Sequence, residues 1–148
     1  MIQGQWFAPG DNIAPLLPVR RSVFGRESDP LDAESWNALI FEDGAPAAAG
    51  RIWYREGVYW LGDIGVLAAS RGRRLGDLTL RLLLFKAQSH AAPEVRLRCP
   101  EHTELFFARL GFQAVARSEN QVEMMIPGDR IHLDSCQGCS KADCPNRR

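Results

Sequence analysis

Two stretches of this chain combine residue types and spacings that suit chemistry. The first is Arg71-Gly72-Arg73-Arg74-Leu75-Gly76, followed at once by Asp77. It stands between an apolar run, Ile64-Gly65-Val66-Leu67, and a leucine-rich segment. Glycine lets the backbone turn tightly and come close to a ligand. The first N–H groups of a helix have no intrahelical acceptor, and the helix dipole adds roughly half a positive charge there. A strand that runs into such a loop and then into a helix is an anion site suited to a pyrophosphate. Arginines on the loop add charge-assisted contacts. Arg20, Arg21 and Arg26 form a second basic cluster, again of a size for a phosphate rather than a long polyanion.

The second stretch is Cys136, Cys139 and Cys144, spaced C-x2-C-x4-C. A C-x2-C turn brings two thiolates to one tetrahedral ion, so zinc is a candidate, with His132 and Cys99 available to complete the set. An iron–sulfur cluster, a redox pair or plain thiols fit the same spacing. For proton transfer the candidates are Asp63, three residues before Val66, and Glu27 or Asp32 in an acidic segment, with His102 at the start of the last helix as a further one. Cys99 ends a strand and reads as a small buried residue.

The elements that must position these groups follow from the apolar pattern. Gln3 to Ala8 reads as a strand. Asp11 is a candidate N-cap for a helix carrying Ile13, Leu16, Leu17, Val19, Val23 and Phe24, made irregular by Pro15 and Pro18. Glu27 to Ser35 reads as a loop. Trp36–Phe41, Ala47–Tyr54 and Val58–Leu67 are strand-like runs separated by Glu42-Asp43-Gly44 and Arg55-Glu56-Gly57, which predicts an antiparallel meander. Leu75–Ser89 is apolar around most of its circumference, so a helix buried on two sides is expected. Val95–Cys99 reads as a strand and Glu101–Leu110 as a helix closed by Gly111. Phe112–Ala116 and Gln121–Ile126 form a last hairpin. This is an α+β, or mixed α/β, layout around one sheet.

With 148 residues, one domain is expected, at 1–134, followed by a cysteine-bearing tail at 135–148. Lys plus Arg equals Asp plus Glu at 18 each, so no global field points to nucleic acid or to an anionic membrane. No apolar run approaches the ~20 residues of a membrane span. Met1 to Pro9 lacks the pattern of a signal peptide, which makes the cytoplasm the expected location. Three cysteines clustered in a reducing compartment favour metal or redox chemistry over disulfides.

The loop resembles the pyrophosphate signature of the GNAT acetyltransferase superfamily, Arg/Gln-x-x-Gly-x-Gly/Ala. Arg71, Arg74 and Gly76 fall on its defined positions, with Arg74 where that superfamily usually has glycine. Leu110-Gly111-Phe112 matches the end of its last helix, and Arg20 to Phe24 before an acidic segment matches one of its branches. The resemblance covers roughly Ile13 to Pro127. It implies a twisted, mostly antiparallel sheet of about six to seven strands with three to four helices. It also implies acetyl-CoA as co-substrate, held by Ile64, Gly65 and Val66 along the pantetheine and by residues 71–77 at the pyrophosphate. Phe107 stands where the superfamily often has a proton-donating tyrosine, beside the cofactor. The implied reaction is direct acetyl transfer to a primary amine of a small molecule or protein, with Asp63 or Glu27 as base. The acidic segment predicts a cationic acceptor, and a homodimer is possible on the same resemblance. A non-catalytic acyl-CoA-binding module, or a sensor regulated through the cysteine tail, is the alternative.

Overall fold

The computed structural model describes residues 1–133; within them seven strands form one sheet and three α-helices pack on its faces. The strands are β1 (Ile2–Phe7), β2 (Ser35–Glu42), β3 (Ala45–Arg55), β4 (Val58–Val66), β5 (Glu94–Pro100), β6 (Gln113–Ser118) and β7 (Gln121–Pro127). The helices are α1 (Leu17–Phe24), α2 (Leu75–Ser89) and α3 (Glu104–Ala108). The spatial order is β1-β2-β3-β4-β5-β7-β6. Every neighbouring pair is antiparallel except β4 and β5. This is the mixed α/β architecture with a mostly antiparallel sheet that the sequence predicts.

The meander forms because its turns carry residues that accept positive φ. Asp43 and Gly44 lie at +51° and +84°, and Glu56 and Gly57 at +52° and +84°. Two-residue turns of that kind match the twist of the strands they join. Strand alternation then sorts the side chains. Ala38, Ile52, Leu61, Val95, Leu97, Met124 and Ile126 meet Leu80, Leu83, Leu84 and Ala87 of α2. On the opposite face, Leu39 and Ala49 meet Leu16 and Val19. Gly50 lets α2 lie close to β3: a Cβ there would come within 2.9 Å of Leu83.

Several elements differ from the sequence reading. Asp11 caps no helix; its carboxylate accepts from Ala8 N–H at 2.8 Å, and a 3-10 turn at Ala14–Leu16 leads into α1 instead. Prolines at 15 and 18 suit the opening turns of these segments, where no intrahelical donor is required. Residues 27–35 are not wholly irregular: Pro30–Ala33 is a 3-10 turn with a capping box between Asp29 and Asp32. The expected Glu101–Leu110 helix is a 3-10 turn followed by the five residues of α3. The side of α2 expected to be buried leaves Phe85 exposed.

β4 and β5 pair only over Tyr59–Leu61 and Val95–Leu97. Beyond those residues the strands part, and the sheet opens at its middle. On its other flank β4 carries a bulge, with Ala49 opposite Gly65 but Arg51 opposite Gly62. Asp63 occupies the bulge at φ +52°. Bulges re-aim side chains and interrupt pairing, and they concentrate beside functional sites.

Candidate active site

The loop after β4 and the first turn of α2 line a cleft of about 260 Å³. Its walls are Val66, Arg71, Gly72 and Arg74, then Leu75, Gly76 and Asp77, with Phe106 and Arg109 opposite. Arg74 is the N-cap of α2, and no side chain caps its first turn. The first helical bond runs from Leu78 N–H to the Arg74 carbonyl. The N–H groups of residues 75–77 therefore stand at the cleft without intrahelical acceptors. Gly72 turns the loop at φ +85°, and Arg74 takes the left-handed region at +64°.

Gly76 is the telling residue. A Cβ built there would meet only Val66 at 3.5 Å and Phe106 at 3.6 Å, ordinary contact distances. Its φ is not positive, and in a helix glycine costs about 1 kcal/mol relative to alanine. Neither packing nor backbone conformation explains it. Of the loop arginines, Arg71 donates from Nε to the Val66 carbonyl at 3.2 Å and Arg73 pairs with Glu42 at 2.5 Å. The second basic cluster is elsewhere: Arg21 pairs with Glu27, Arg26 with Asp63, and Arg20 is buried.

Between α1 and the β4 bulge lies a second polar centre. Arg20 donates to Asp32 at 2.8 Å and to Asn37 at 3.0 Å. Arg51 donates to Asp29 at 2.7 Å and to Asp32 at 3.1 Å. Asp63 faces Arg51 at 3.1 Å and Arg20 at 3.7 Å, and also pairs with Arg26. The acidic segment expected to draw a cationic acceptor is thus neutralised by arginines. Arg51 holds the Asp29 carboxyl below the usual carboxylate range, against a smaller effect of burial.

The remaining expected residues divide. Ile64 packs against the α2-side core, and Gly65, expected to admit a ligand, admits α1 instead. A Cβ there would come within 2.8 Å of Val23 and 3.0 Å of Phe24. Phe107 is 8% exposed and packs edge-on to Phe112 in the core, so it is not part of the cleft wall. Phe106 occupies that wall with Arg109, one turn further on. The helical phase carries that distinction, because residues three apart share a face. Glu27 is exposed, and Arg21 lowers its carboxyl, which weakens it as a base. Cys99 is buried with Sγ 3.9 Å from Met124 Sδ, and burial pushes its thiol up, away from the thiolate form. His102 is exposed in a shallow hollow with Pro100, Glu101, Asn120 and Gln121. Among the described residues no group of three or more His, Cys, Asp or Glu side chains is arranged to hold a metal. Cys136, Cys139 and Cys144 lie outside the described residues.

No protein-family model and no curated protein matches this chain. Solved structures do match. An acyl-CoA N-acyltransferase from Pseudomonas aeruginosa aligns over 84% of this chain and 99% of its own, with a TM-score of 0.76 and 23% identity. The ribosomal-protein-S18-alanine N-acetyltransferase of Escherichia coli aligns over 86% and 94%, with a TM-score of 0.72 and 14% identity. A GNAT family acetyltransferase from Elizabethkingia anophelis, solved with acetyl-CoA bound, aligns over 85% and 97%, with a TM-score of 0.72 and 10% identity. With its parted β4 and β5, its bulge at Asp63 and its loop-to-helix cleft, this chain has the GNAT acetyltransferase fold.

Proposed function

We propose that this protein is an acyl-CoA-dependent N-acyltransferase that moves an acetyl group from acetyl-CoA to a primary amine by direct transfer. The observation that carries the reading is the cleft at the start of α2, with uncapped N–H groups, Arg71, Arg74 and Arg109 around a glycine that packing does not require. These groups suit a diphosphate. The pantetheine arm would run from there along β4 into the opening between β4 and β5. The amine nitrogen attacks the thioester carbonyl carbon, a C–N bond forms and the C–S bond breaks. The nitrogen gives up a proton, and the departing thiolate takes one. Of the two candidate bases we favour Asp63, which lies at the bulge beside the opening of the sheet, over Glu27 on the outer surface.

The experiment is calorimetric titration with coenzyme A of the wild type and of Gly76→Leu. The variant fills the cleft without a backbone penalty, so at least a tenfold loss of affinity is expected with an unchanged or higher melting temperature. Equal affinity in both proteins would refute the site. A second reading, an acyl-CoA-binding module without turnover, is favoured by Phe107, which has no proton to donate and is buried. Release of free thiol from acetyl-CoA in the presence of amines separates the two. A role for the tail cysteines, or for a zinc ion there, is a further proposal, tested by metal analysis of the purified protein.

A further inference from the structure

The polar centre beside the β4 bulge has balanced charge and two accessible members, Asp29 at its rim and Arg26 beside Asp63. Asp29, Asp32 and Asp63 face Arg20, Arg26 and Arg51. The side chains of Asp63 and Arg51 are only 8% and 5% exposed, whereas that of Arg26 is 47% exposed. Two atoms in the cluster have no hydrogen-bond partner among the described residues, Asp63 Oδ2 and Arg51 Nε. Oδ2 lies 3.1 Å from an Arg51 nitrogen without a hydrogen bond to it, and the Arg20 Nε, at 3.7 Å, is too far to donate. A buried charge with an unfilled hydrogen bond is costly. That cost falls on Asp63, in the bulge two positions past the last β4–β5 pair, and bulges concentrate beside functional sites.

Aromatic rings flank this residue. The ring of Trp53 lies over Gly62, 3.0 Å from where a Cβ would be, and Arg51 stacks 5.5 Å from its centre. The Arg26 guanidinium sits 5.3 Å over the exposed ring of Phe24.

We propose that this centre is the acceptor site and that the acceptor is a zwitterion, a free α-amino acid with an apolar or aromatic side chain. Its carboxylate engages Arg26 and its amine engages Asp63. The proposal rests on the N-acyltransferase reading. Charge balance decides the class. A plain amine that takes the place of Arg26 on Asp63 leaves the Arg26 guanidinium without its carboxylate, and a plain acid on Arg26 takes from Asp63 one of the three guanidiniums that face it. A zwitterion replaces one ion pair with two and changes the net charge by nothing. Unpaired charges in a partly buried site are heavily penalised, so this difference sets selectivity. The rings of Phe24 and Trp53 provide the apolar surface for the side chain.

The test is calorimetry on the full chain saturated with coenzyme A. The probes are L-phenylalanine, phenethylamine and 3-phenylpropanoate, and in parallel L-leucine, isopentylamine and 4-methylpentanoate. At least one amino acid is expected to bind tenfold or more tightly than both of its single-charge analogues. Arg26→Gln, a change at a half-exposed side chain, should abolish that preference while coenzyme affinity stays the same. An amine that binds as well as its amino acid would overturn the proposal. So would failure of both amino acids to bind protein that has taken up the coenzyme. Failure of the coenzyme itself to bind would instead refute the transferase reading, and this proposal with it.

Discussion

Gly76, Gly65 and Arg74 show how residues around one loop can leave room, admit a neighbour or take a strained backbone. Gly76 leaves room that nothing in the protein fills, whereas Gly65 is required by α1, whose Val23 would collide with a Cβ. From sequence the two glycines look alike, since each sits near a strand end beside the same loop. Arg74 adopts φ +64° where the GNAT pattern has glycine, at a cost of about 1–2 kcal/mol. Its side chain lines the cleft, so the guanidinium is available to a phosphate. Arg74→Gly relieves the strain but frees the unfolded chain by a comparable amount. The melting temperature should therefore stay level or rise slightly. Coenzyme A affinity should fall by roughly ten- to a hundredfold, as expected for the ~1.5–3 kcal/mol of a charged hydrogen bond. Unchanged affinity in calorimetry would show that Arg74 adds nothing to binding.

At the scale of elements, α1 is tied to the sheet by charge and α2 to its edge by aromatic contacts. Burial opposes the charge on Asp32, but the hydrogen bond from Arg20, the Asp29 N–H and Arg51 together hold its carboxyl below the usual range. Because the folded value is the lower one, this stabilisation is fully present above the unfolded value, about pH 4. It is lost as pH falls through the folded value. Urea stability should thus begin to fall below about pH 5. Asp32→Asn takes from the buried Arg20 its two-point carboxylate partner and should cost about 3 kcal/mol, and its acid limb should be shallower than that of the wild type. An equally steep limb would place the acid sensitivity elsewhere. On the other face, the Lys86 ammonium lies 4.5 Å from the ring centre of Trp6 and 3.9 Å from that of Trp36. It thereby joins α2 to β1 and β2. Lys86→Met keeps the apolar stem and removes the charge, so a loss of about 1 kcal/mol in denaturant melts is expected. No loss would mean that stem packing alone holds the contact.

The whole molecule is two half-sheets held together by three residue pairs between β4 and β5 and by the helices that span them. The cleft draws one wall from the β4–α2 loop and the other from α3, which lies beyond β5. A ligand bound there bridges both halves and favours only the folded state. At one hundred times its Kd, coenzyme A should add about 2.7 kcal/mol. In a chain of this size that raises the melting temperature by roughly 5–10 °C. A thermal scan with and without coenzyme checks this, and no shift at saturating concentration would count against the cleft as its site.

What the sequence by itself determined was local. Turn residues set the meander, the apolar pattern set α2 from Leu75 to Ser89, and glycines with arginines marked the loop that lines the cleft. Each depends on spacing along the chain, which periodicity reports directly. What only the tertiary structure decided was which groups meet. Asp32 and Asp63 read as candidate bases, but arginines from three different segments neutralise them. Phe107 reads as the cofactor contact, but the rotation of α3 turns it into the core and brings Phe106 and Arg109 to the cleft. Pairings across 12 to 37 residues of chain, such as Arg20 with Asp32 and Arg26 with Asp63, leave no periodic trace. They exist only once α1 docks on the sheet and β4 bulges at Asp63.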